Sequence, residues 1–139
     1  SSDLPGGALG KQLYLRVNDI FPNNEKPAVQ LDTDLPSTIL EMTSKRLGAT
    51  AVLDESGKLR GIITDGDLRR MLSRGVDLSQ LQAKDIMGTH PKTIQENALA
   101  VKALQILRAN SITQLIVVDA EQRYRGFIHL HDLIREGLI

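Results

Sequence analysis

The chain has 139 residues, 41% of them hydrophobic and 24% charged, which suits one compact globular unit. Seventeen basic side chains balance seventeen acidic ones and aromatic residues make up 3%, so neither a basic nucleic-acid surface nor a stacking platform for single strands is indicated. The lack of cysteine excludes disulfides, thiolate metal sites and a cysteine nucleophile and agrees with a reducing, cytoplasmic setting, and no apolar run reaches the ~18 residues of a membrane span.

Along the chain, Pro5-Gly6-Gly7 is no phosphate loop, because no strand precedes it and no Gly-Lys-Ser/Thr follows. Residues 29–31 read as a short strand. Asp34 then caps a helix from Leu35, with Pro36 tolerated in its first turn. Leu35, Ile39, Met42 and Arg46 share one face, Leu40 and Leu47 widen the apolar stripe, and Gly48 is the expected stop. Residues 49–53 form a buried strand, 54–57 a turn and 59–64 a further strand, and a second helix opens at Asp67. Residues 75–83 bridge to a second series. There Asn97 is the expected cap of a helix through Arg108, with Ala100, Ala103, Leu104 and Leu107 facing inward and Asn110 as a left-handed stop. Residues 115–118 are a continuous apolar strand, as for one covered on both faces. Residues 124–128 pair with it and 132–136 close with a short helix.

The second series repeats the first. Gly61-Ile62-Ile63-Thr64-Asp65-Gly66-Asp67-Leu68 returns as Gly126-Phe127-Ile128-His129-Leu130-His131-Asp132-Leu133, and Ala51-Val52-Leu53-Asp54 as Ile116-Val117-Val118-Asp119, all 65 positions on. Each copy reads strand, helix, strand, strand, helix. A unit of about 60 residues is marginal alone, so the two copies are expected to bury their sheets and helices against each other as one α+β, pseudo-two-fold globule.

A βαββα unit ending in Gly-apolar-apolar-(Thr/Ser)-x-x-Asp-Leu resembles the CBS motif, complete in copy one and carrying His129 at the hydroxyl position of copy two. Two copies at this spacing resemble the CBS pair, or Bateman module, a regulatory nucleotide-sensing fold. Pro5-Gly6-Gly7-Ala8-Leu9-Gly10-Lys11, the 64–70 run and the 129–133 run further resemble arabinose 5-phosphate isomerases, in which a sugar-isomerase domain runs into a CBS pair. That resemblance implies that residues 1–18 are the remnant of an isomerase domain and linker, with motif one at 19–75 and motif two at 76–139. The family has a histidine just before the Pro-Gly-Gly run, where this chain has Leu4. The rest of the isomerase domain is missing, so the chain itself is not expected to catalyse.

The resemblance also implies ligand clefts between the motifs for an adenine nucleotide or, as feedback from lipopolysaccharide synthesis, the nucleotide-sugar CMP-Kdo, with no resident cofactor. It implies a homodimer too, and a tetramer in the full-length isomerase. The residues have chemistry suited to such a ligand. Asp67 can accept hydrogen bonds from both ribose hydroxyls. Thr64 adds a hydroxyl, Asp65 adjoins it, Gly66 allows close backbone approach, and the free N–H groups of the helix start attract phosphate. The loop Gly48-Ala49-Thr50 is expected to line the base pocket with backbone donors and acceptors. A second cleft would use Thr113, Gln114, His129, His131 and Asp132, with a pH dependence from its imidazoles. Arg69, Arg70, Lys92, Arg108 and Arg125 are the candidate counter-charges, although Arg69 and Arg70 also read as a solvated helix face. Blander readings stand beside these. Asp67 and Asp132 are good helix caps and Thr64 is an ordinary strand residue. His129 and His131 have only His90 to complete a zinc set, and Asp65 with Asp67 lacks the glutamate of a calcium loop, Leu78 lying near its place. A purely structural dimerisation module with empty clefts is the alternative function.

Overall fold

The computed structural model describes residues 12–139; Leu4 and the Pro-Gly-Gly run lie outside them. The first copy contains β1 (Ala28–Gln30), α1 (Leu35–Lys45), β2 (Ala49–Leu53), β3 (Leu59–Thr64) and α2 (Asp65–Ser73). After the short α3 (Ala83–Ile86), the second contains β4 (Thr93–Gln95), α4 (Ala100–Asn110), β5 (Gln114–Val118), β6 (Tyr124–His129) and α5 (Leu130–Arg135). Every element of copy one therefore starts again 65 residues on, from Ala28 and Thr93 to Asp65 and Leu130. The two three-stranded sheets match in detail. β1 and β4 run parallel to β2 and β5, β3 and β6 run antiparallel to them, and the ladder slips at Val52/Leu53 and again at Val117/Val118.

Several element ends differ from the sequence expectation. Asp34 does cap α1, its carboxylate accepting the Ser37 N–H at 2.8 Å. The helix stops at Arg46 (φ +61°), ahead of Gly48. Leu40 does not widen the buried stripe, for it is 69% exposed while Thr38 is fully buried. In copy two the residue before the helix is Leu99, with no side-chain cap, in place of Asn97, and the left-handed stop is Ser111. Asn110 instead turns its amide back to the Ile106 carbonyl. Both final helices begin two residues early, because Thr64 and His129 cap them from the strand ends.

Period-two alternation sorts the central strands between two jobs. On β2, Ala49 and Ala51 face the other sheet, while Val52 joins Val29, Met42, Ile63 and Ala83 under the first copy's helices. On β5, Ile116 and Val118 face the seam with Tyr124 and Phe127, while Leu115 and Val117 join Ala103, Leu104 and Leu107 beneath α4. The Tyr124 hydroxyl donates to the Pro27 carbonyl across the seam at 2.6 Å. Burial, with the Glu41 charge second, raises its pKa.

The segments that lead into the copies are exchanged. Residues 15–24 precede copy one but serve copy two: Val17 N–H bonds Ala98, Asn18 N–H bonds Glu96, and the Asn24 amide bonds both Phe127 and Asp132. Residues 81–88 precede copy two but serve copy one, tying Leu81 to Leu35, Ala83 to Thr33 and Gly88 to Ile62. The motif glycines make these approaches possible. A Cβ on Gly61 would lie 2.6 Å from the Gly88 carbonyl oxygen, and one on Gly126 (φ +154°) would lie 3.0 Å from the Phe21 ring.

Candidate functional site

The N-terminus of α2 in copy one faces the loop before β5 in copy two. The loop before β2 is joined to α2, Asp65 N–H bonding the Gly48 carbonyl at 3.0 Å. Gln114 of β5 crosses the seam to donate its side-chain amide to the Leu47 carbonyl at 2.9 Å. Together these elements enclose a hollow of about 380 Å³ whose lining includes Thr64, Asp65, Gly66 and Arg69 from copy one and Thr113 and Gln114 from copy two. That size lies within the range of small-molecule pockets. Hydroxyls, an amide, one carboxylate and one guanidinium converge there, a donor and acceptor set suited to a polyol bearing an anionic group.

Thr113 and Gln114 thus belong to the first cleft, against expectation, because the pseudo-two-fold axis sets the loop of one copy against the helix of the other. Asp67 is absent from the lining. Its carboxylate accepts the Thr64 N–H at 2.8 Å and hydroxyl at 3.1 Å, pairs with Arg70, and fronts a separate hollow of about 140 Å³ beside Met71 and Asp85. Asp132 is 4% exposed and accepts from the His129 N–H at 2.7 Å and the Asn24 amide at 2.8 Å. Both aspartates close capping boxes, the reading that Asp at this position favours. Ala49 and Thr50 are fully buried in β2, and the Thr50 hydroxyl donates to the Ala51 carbonyl, so their side chains do not line the hollow.

His129 and His131 sit at the mirrored mouth with ring centres 4.6 Å apart, the His129 Nδ1 accepting the His131 N–H at 3.0 Å. Burial, followed by the neighbouring His131, holds the His129 imidazole below its usual pKa, and Asp132 opposes them. Among the described residues no three His, Cys, Asp or Glu side chains gather to hold a metal. No helix among them is long and apolar enough to cross a membrane. Of the cations considered, Arg69 lines the hollow, while Arg70 pairs with Asp67 and Arg125 with Glu96 at 3.1 Å. Gly48, Ser111 and Ile112 complete the lining. The repeat places Ser111 opposite Arg46, so these residues become legible once the two-fold is applied to the loops.

Two exchanged βαββα copies around a shared seam, with a polar hollow where they meet, define a tandem-repeat module. The CBS domain model matches residues 17–74 and 83–138, and the chain belongs to the CBS-domain family. It is 49% identical over 136 residues to arabinose 5-phosphate isomerase KdsD of Pseudomonas aeruginosa, a match that takes in 97% of this chain and 42% of that protein. The chain therefore spans less than half the length of that relative, and the region matched is the non-catalytic CBS pair. Among solved structures, the CBS domain protein PAE2072 of Pyrobaculum aerophilum complexed with AMP superposes with a TM-score of 0.78 at 16% identity, covering 90% of this chain and all of that one. The CBS domain of a bacterial CNNM/CorC family Mg2+ transporter in complex with ATP gives 0.75 at 22%, covering 95% and 93%.

Proposed function

We propose that this chain is a regulatory module that binds one nucleotide or nucleotide-sugar in the hollow between its copies and thereby controls an attached arabinose 5-phosphate isomerase in the cytoplasm. The observation that carries the reading is the convergence of Thr64, Asp65, Gly66 and Arg69 with Thr113 and Gln114 around about 380 Å³. Asp65 and Thr113 suit the hydroxyls of a ribose, the Gln114 side chain and Gly48 suit a base edge, and Arg69 with the α2 N-terminus suits a phosphate. AMP and ATP in the fold neighbours support an adenine nucleotide. The likeness to the isomerases supports CMP-Kdo, as feedback from lipopolysaccharide synthesis, as the sharper candidate. Exposed Leu72 on α2 and Ile134 on α5, at 59% and 49%, support pairing of two modules as a homodimer.

A thermal-shift panel with AMP, ATP, CMP, CMP-Kdo and arabinose 5-phosphate, run beside light scattering, tests this. Ligand near a hundred times its dissociation constant stabilises by about 2.7 kcal/mol, or roughly 5–10 °C for a chain of this size. A dimer that no nucleotide stabilises would establish the structural alternative instead.

A further inference from the structure

We infer that the two mirrored mouths have diverged, and that the chain holds one nucleotide-type ligand, in the Asp65–Gln114 hollow, while the mouth at His129 takes none. This deepens the proposed function and rests on it. The 65-residue shift allows the mouths to be compared position by position. Both retain the same scaffold contact: Asp65 N–H bonds the Gly48 carbonyl at 3.0 Å, and Leu130 N–H bonds the Thr113 carbonyl at 2.8 Å. The frames are therefore alike and the side chains differ.

The acceptor Asp65 becomes Leu130, which is partly buried and packs on the apolar core of the second copy. Arg69, the cation that lines the hollow among the described residues, becomes Ile134, while Ser111 on the opposite wall becomes Arg46. The Gln114 amide becomes the methyl of Ala49, fully buried. Gly66, whose missing side chain leaves room beside Arg69 and Arg70, becomes His131, whose ring lies 4.6 Å from that of His129. Thr64 becomes His129, a bulkier ring in place of a hydroxyl, although both cap the helix that follows and accept a backbone N–H there. A sugar phosphate entering the second mouth would thus lose its carboxylate and amide partners together, and Arg46, which stands where Ser111 stands in the first, would offer a cation only from the opposite wall.

Isothermal titration of the whole chain with AMP and CMP as probes tests this, with equilibrium dialysis to count bound ligand. One site per chain is expected. Asp65→Asn and Arg69→Met alter exposed side chains and should weaken binding about tenfold each, as loss of a charge-assisted hydrogen bond implies. Ile134→Arg should change neither stoichiometry nor affinity. Two ligands per chain, or binding sensitive to Ile134→Arg and indifferent to Arg69→Met, would overturn the inference while leaving nucleotide binding intact. Silence from both probes and from CMP-Kdo would overturn the nucleotide reading itself and this inference with it.

Discussion

His129 holds in copy two the place that Thr64 holds in copy one, and both cap the helix that follows. A threonine hydroxyl accepts at any ordinary pH, whereas an imidazole accepts only while its Nδ1 is unprotonated. Because the folded state lowers the His129 pKa, the unfolded chain takes up the proton first as pH falls. Stability from this contact is complete above the unfolded value of about 6.5 and declines as pH drops through it. Urea titrations at pH 8 and pH 5.5 should show a lower midpoint at the acid end, and His129→Thr should flatten that difference. A wild-type midpoint indifferent to pH would contradict this account of the cap. Asp132 is the other sensitive residue on this helix. Its removal by Asp132→Ala strands the Asn24 amide and the His129 N–H, and chemical denaturation should record a loss of about 1–3 kcal/mol.

At the scale of elements, the motif glycines act through approach. Residues 87–88 cross beside β3 because position 61 has no Cβ, and Phe21 lies against β6 for the same reason at position 126. Gly61→Ala would place a methyl 2.6 Å from a backbone oxygen that is itself fixed by hydrogen bonds in both directions with Ile62. Separation of that contact should lower stability by about 1–3 kcal/mol in a denaturant titration, the range for overpacking. Gly57→Ala makes a useful comparison, since its Cβ would meet nothing and only its φ of +84° resists. Its smaller loss, of the order of 1 kcal/mol, isolates backbone strain from collision.

For the whole molecule, the exchange of leading segments makes each half dependent on the other. Residues 81–88 supply α3 and backbone partners to copy one, and residues 15–24 supply Val17, Ile20 and Phe21 to the core of copy two. A fragment ending at residue 80 should therefore be largely unfolded by circular dichroism, while residues 12–139 unfold in one cooperative step. A fragment with native-like amide dispersion would show that the halves are independent.

Much of this was present in the chain of letters. The repeat at 65 residues, the order of strands and helices, the Asp34 cap and the inward face of α4 follow from local periodicity and capping chemistry, which need no knowledge of the partner copy. Thr64, Asp65 and Gly66 could be picked out as candidates because the motif sets them at a strand-to-helix turn, and the fold lines the hollow with them. Tertiary structure decided the rest. It set Thr113 and Gln114 beside the first copy's α2 rather than at the second mouth, and it brought the Asn24 amide onto Asp132. Sequence assigns a side chain to an element, but which face meets which is settled only when two sheets pack about an axis that local patterning does not encode.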